Sequence, residues 1–159
     1  MHICVIYYSH TGHTKQVVDK VIDELRQHNH QVKGISLEPV EPFRPSAESA
    51  ELKIIPDISP YECIIISTPV HGGRMSAPMR WFLNEVPSLS GTLAAGVVTH
   101  FFREGWGAVQ TLQEIETALK GKSTAYLGGV NVRWFSLSRQ KQIRTAAVSL
   151  ASWIEKPSR

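Results

Sequence analysis

The chain has 159 residues, of which 42% are hydrophobic and 19% charged, with a formal net charge of +3 and a pI near 9.0. That length predicts one domain spanning residues 1–159, and the balance of apolar to charged residues excludes a disordered chain. No apolar run approaches the ~20 residues of a membrane helix, and the mild charge, without consecutive Lys or Arg, gives no expectation of a nucleic-acid partner.

The N-terminus, Met1-His2-Ile3-Cys4-Val5, has no charged stretch ahead of its apolar one, so no signal peptide is expected and the location is read as cytoplasmic. Residues 3–8 (ICVIYY) form a short β-rich run, a buried first strand. Val17, Val18, Val21, Ile22 and Leu25 recur at helical spacing and predict a helix over 12–27. A second strand is expected at 31–37 and a third at 63–67 (CIIIS), followed by a helix over 77–86. A fourth strand is expected at 93–99, a helix at 108–119, a fifth strand at 123–130 and a last helix at 139–154. Strands separated by helices imply parallel crossovers, and uniformly apolar strands imply helices on both faces. The predicted fold is α/β, a three-layer doubly wound sheet of five parallel strands. The connection 38–61 breaks the pattern: it holds Pro39, Pro42, Pro45, Pro56 and Pro60. It reads as an irregular crossover or a lid, with a helical turn or two possible over 46–52.

In open α/β sheets ligands bind beyond the carboxyl ends of the strands, which singles out three loops. The first, Ser9-His10-Thr11-Gly12-His13-Thr14, follows a strand and opens a helix. Helix N-terminal amides, three hydroxyls and one glycine suit an anion. The loop has neither the lysine of a nucleoside-triphosphate loop nor three glycines of a dinucleotide fingerprint. The competing reading is a plain N-cap. The second, Thr68-Pro69-Val70-His71-Gly72-Gly73-Arg74, follows the third strand; it presents paired glycines to a flat ligand or merely turns the chain. The third, Thr99-His100-Phe101-Phe102-Arg103-Glu104-Gly105-Trp106-Gly107, mixes aromatics with glycines. An aromatic there stacks on a planar ring, or turns into the core.

Together the loops resemble the flavodoxin-like family of FMN proteins. Ser9, Thr11, Gly12 and Thr14 match its S/T-x-T-G-x-T phosphate motif, and 67–74 with Ala77-Pro78-Met79 and Phe82-Leu83 is similar to its third-strand loop and following helix. The resemblance implies strand order 2-1-3-4-5 with FMN at the switch point. It implies that residues 9–14 hold the phosphate, that 68–74 and 99–107 (Thr99, His100, Phe101, Gly105, Trp106 and Gly107 among them) flank the isoalloxazine, and that Gly72 or Gly73 turns a peptide near flavin N5. The chain departs from the acidic carriers of that family: His10, His13, His71, Arg74, His100 and Arg103 crowd the site. Positive groups there stabilise the reduced, anionic flavin, so the expected potential is less negative than a typical flavodoxin's.

Other chemistries find little support. Cys4 and Cys63 sit in apolar runs and are expected to be buried, inert thiols. The seven histidines lack the spacing of a zinc site, and Ser9 with His13 lacks a nucleophile elbow. His28 and His30 are expected to be solvated and Trp81 and Trp153 to be core; Arg133-Trp134-Phe135, after the fifth strand at the same sheet edge, either touch a ligand or partner or, the preferred reading, are a core aromatic beside a surface arginine. Three functions follow: a carrier docking on redox partner proteins, an FMN-dependent NAD(P)H:quinone-type reductase, or a flavin-free binding module. Monomer and homodimer are both open.

Overall fold

The computed structural model describes residues 1–157 apart from 43, 45 and 104, so Pro45 of the long crossover and Glu104 of the third loop lie outside the described residues. The elements in order are β1 (His2–Tyr7), α1 (His13–Gln27), β2 (Gln31–Ser36), β3 (Cys63–His71), β4 (Arg74–Met75), α2 (Ala77–Glu85), β5 (Leu93–His100), α3 (Ala108–Gly121), β6 (Ala125–Arg133) and α4 (Arg139–Glu155).

The sheet runs β2-β1-β3-β5-β6, with every neighbour along that path parallel. This is the order expected of the five predicted strands. The sixth strand, β4, is new: two residues pair antiparallel with the end of β3, Val70 with Met75 and His71 with Arg74. The third strand therefore runs four residues further than its apolar core indicates. Pro69 cannot donate to a ladder, and it lies just past Ser67, where pairing with β1 ends.

Side-chain alternation divides the core in two. Ile3, Val5, Cys63 and Ile65 face α1 and α4, where they meet Val17, Val21, Leu25, Ile143, Leu150 and Ile154. Cys4, Ile6, Ile64 and Ile66 face α2 and α3, where they meet Met79, Phe82, Ile115 and Leu119. That is the three-layer arrangement. Both thiols are buried, and burial pushes each up to about 12.

Among the described residues no helix links β2 to β3. Leu37, Leu52 and Ile58 are inserted into the second core where a crossover helix would lie. Of the helical turn or two expected over 46–52, only Ser46 lies in a turn, and Leu52 pairs antiparallel with Pro39. His28, expected to be solvated, binds Glu155 at 2.7 Å and so joins the end of α1 to the end of α4. Trp81 and Trp153 are partly buried against the two cores.

Candidate functional site

The three loops meet at the carboxyl end of the sheet around a cleft of about 180 Å3. His10, Thr11, His13 and Thr14 line it from the first loop, Pro69, Val70 and His71 from the second, and Thr99, His100 and Phe101 from the third. Trp134, just beyond β6, completes the wall.

α1 begins at Gly12, which has φ +89°, a left-handed conformation that glycine adopts without steric cost. The first intrahelical bond runs from the Gln16 amide to the Gly12 carbonyl. The amides before it have no partner within the helix. The N-cap reading is half right: Gly12, with no side chain, is the cap, while Ser9 Oγ reaches back to accept from the Lys15 amide at 3.2 Å. The amides of Gly12, His13 and Thr14 thus open the helix at the cleft. Thr14 is buried, and its Oγ1 lies 2.7 Å from Thr99 Oγ1, a bond that ties the first loop to the third.

The second loop is a hairpin rather than a loop. Thr68 to His71 belong to β3, and only Gly72 and Gly73 make the turn, with φ +58° and +79°. Two residues in left-handed conformation form the tight turn that joins antiparallel strands. Thr68 is fully buried and engaged with Ser76: the hydroxyls lie 2.7 Å apart, and the Ser76 amide donates to Thr68 Oγ1. It braces the hairpin base and has no surface for a ligand. Arg74 turns toward α3, its Nε 3.9 Å from Glu114.

The third loop is held from within. His100 is buried; its Nδ1–H donates to the Phe102 carbonyl at 2.6 Å, and Nε2 lies 2.9 Å from Asn131 Oδ1. Of the two phenylalanines, Phe101 borders the cleft while Phe102 is 62% exposed beside Trp106, itself 66% exposed. Gly107 is buried and caps α3.

The electrostatics differ from a plain count of basic residues. The His13 ring stacks on Trp134 at 4.1 Å and meets Phe101 edge-on at 5.4 Å. Arg139 covers the other face of Trp134, 4.4 Å from its centroid. Burial, then the Arg139 charge, holds His13 below the ordinary histidine value. Burial, then His10 and Arg80, does the same for His71. Both shifts favour the neutral ring, against the positive charge that residue type alone suggests for the cleft. Nδ1 of His13 is buried and has no hydrogen-bond partner, a polar atom left for a ligand to satisfy.

Trp134, read from the sequence as core with a ligand contact as the alternative, is 6% exposed within the core and also lines the cleft. Its neighbour Phe135 is 68% exposed. The available signal was position: it follows the fifth parallel strand, at the same sheet edge as the three loops.

Comparison with known proteins bears on this geometry. A family model described as a flavodoxin domain matches residues 4–105. No curated protein matches the chain by sequence. Among solved structures, a flavodoxin from Streptococcus pneumoniae TIGR4 is 17% identical with a TM-score of 0.68, over 96% of this chain and 99% of that one. The Trp repressor binding protein from Bacillus subtilis is 15% identical with a TM-score of 0.70, over 94% and 99%. Rubredoxin oxygen:oxidoreductase from Desulfovibrio gigas is 14% identical with a TM-score of 0.71; it covers 97% of this chain, which matches 36% of that longer one. At these identities the structures speak to the fold.

Proposed function

Because the chain belongs to the flavodoxin domain family, we propose that it is a single-domain FMN-binding redox protein that passes electrons to or from a partner protein. The observation that carries this reading is the opening of α1 at the sheet's switch point. The amides of Gly12, His13 and Thr14, with the Thr11 hydroxyl and the Thr14–Thr99 pair, suit a phosphate at a helix N-terminus. The buried, unpaired Nδ1 of His13 fits an oxygen-rich ligand there. Val70, Phe101 and Trp134 give the cleft the apolar, aromatic walls a flat ring needs.

In this reading residues 9–14 hold the phosphate, and the hairpin 68–74 and the loop 99–107 flank the ring. Thr68 and Arg74 serve only to shape the hairpin. FMN, when bound, supplies the one- and two-electron chemistry. The chain's own residues bind it, keep it oriented and shield one side from water.

A second reading, an NAD(P)H-dependent reductase, is favoured by charge placement. Between Glu116 and Glu155 the chain carries Lys120, Lys122, Arg133, Arg139, Lys141 and Arg144 and no acid. Arg139 lies beside the cleft through Trp134. Of these basic residues, Arg133, Arg139, Lys141 and Arg144 follow one another from the carboxyl end of β6 into α4, the end of the sheet where the cleft lies, and would attract a nicotinamide phosphate.

The test begins with purification and titration of added FMN. A colourless protein that ignores FMN defeats both readings and leaves the flavin-free module. With a yellow protein, anaerobic addition of NADPH and NADH separates carrier from reductase: prompt bleaching identifies a reductase, and no bleaching a carrier.

A further inference from the structure

Past β2 the chain closes on itself. The Lys53 amide donates to the Glu38 carbonyl at 2.9 Å and the Val40 amide to the Glu51 carbonyl at 2.8 Å, around the Pro39–Leu52 bridge. Leu52 is 4% exposed and anchors this neck in the core. The tip is fastened to α2 by Arg80, which donates to the carbonyls of Ala47 at 3.3 Å and Glu48 at 2.7 Å. The segment is thus a tethered roof. Beneath it lies a cavity of about 390 Å3, larger than the cofactor cleft. Its floor is Tyr8 and His71, whose rings meet edge-on at 6.1 Å, with Ala77 and Pro78 opening α2. His71 borders this cavity on one side and the cleft on the other.

We propose that this cavity binds a neutral, flat ring compound with carbonyl oxygens, one or two rings in size, and sets it across His71 from the flavin. The volume lies at the small end of ligand pockets, in keeping with a ligand of one or two rings. The roof supplies apolar surface from Pro39, Pro42, Ala47 and Ala50. The groups that can donate are hydroxyls (Tyr8, Ser46, Ser49) and the Arg44 guanidinium, which together suit carbonyl acceptors. Burial keeps the Tyr8 hydroxyl protonated. The local charge argues against an anionic ligand: Glu41 and Glu51 line the cavity beside Arg44, and Glu38 and Glu48 belong to the same segment.

Binding stands on the cavity alone, whereas a redox role rests on the FMN reading. A quinone fits the class; it takes two electrons and two protons and gains two O–H bonds. The two-electron-reduced flavin is the electron source, with solvent completing the protons.

The experiment titrates duroquinone calorimetrically into the FMN-loaded and the flavin-free protein, and into Ala50→Trp and Ser46→Trp, which fill the cavity from a surface segment. The expected result is a similar affinity with and without FMN, weakened at least about tenfold by either substitution, with FMN affinity unchanged. Competition between duroquinone and FMN, or full affinity in both filled variants, overturns the proposal. Absence of FMN binding defeats the flavin reading and leaves the calorimetric arm intact. For the redox role, anaerobic reoxidation of the reduced protein is followed with duroquinone and with ferricyanide. Slowing of the first alone by Ala50→Trp is expected; equal rates for wild type and variant with duroquinone remove the redox role.

Discussion

Gly107 lies against Gly73: a Cβ built on Gly107 would stand 2.8 Å from both the Cα and the carbonyl carbon of Gly73, and 2.7 Å from Val70 Cγ1. The start of α3 and the β3–β4 turn therefore touch backbone to backbone. This contact sets how far apart the hairpin and the third loop stand beside the cleft.

Gly107→Ala tests that contact. Its φ of +118° strains any side chain, and the new methyl meets backbone that cannot swing aside. The expected loss is about 2–4 kcal/mol from strain and overpacking together, read by urea denaturation, with weaker FMN binding wherever the variant folds. Unchanged stability would show that the hairpin yields freely.

The Thr14–Thr99 bond predicts coupling between the first and third loops. Thr14→Val leaves a buried Thr99 hydroxyl without its partner, a cost of about 1–3 kcal/mol, while Thr14→Val with Thr99→Val costs less than the sum of the singles. For the cofactor, Thr11→Val with Thr14→Val is expected to weaken FMN by about 1.5–3 kcal/mol per lost charge-assisted bond. Fluorescence titration measures it, and an unchanged affinity rejects the phosphate role of this loop.

The stack of His13, Trp134 and Arg139 makes stability depend on pH. His13, His30 and His71 are all held below the ordinary 6.5. Below that value the unfolded chain binds protons that these rings refuse, so stability rises with pH up to about 6.5 and is lost as the solution is acidified. His28, raised by its bond to Glu155, acts in the opposite sense. The melting temperature of the flavin-free protein is expected to fall between pH 7 and pH 5, and less steeply in His13→Gln. Identical slopes would remove His13 from the account.

With His13 and His71 shifted toward the neutral form and Arg74 turned to Glu114, Arg103 is the other arginine of the three loops that would act on the proposed flavin. Arg103→Gln is expected to lower the flavin potential by the equivalent of at most about 1 kcal/mol, since an exposed charge is screened by solvent. Redox titration of the wild type should still give a potential less negative than a typical flavodoxin's. A very low value would mean that amides and aromatics, rather than cations, set it.

Much of this protein is written locally. Apolar runs such as Cys63–Ile66 and the helical recurrence from Val17 to Leu25 encode strand and helix through nearest neighbours, and strand–helix alternation then restricts the sheet to a parallel order. The hydroxyls and glycine of 9–14, which suggest an anion site, are legible for the same reason: a helix N-terminus is a local object. What tertiary structure decided depends on partners distant in sequence. Thr68 became a brace because Ser76 folds over it, Arg74 left the cleft because α3 brings Glu114 near, and His13 is shifted toward its neutral form because burial, Trp134 stacked against it, and then the Arg139 charge disfavour the proton. Burial and charge pairing are sums over neighbours that only the folded chain assembles, so residue type announced which groups were available and packing decided which of them face the cleft.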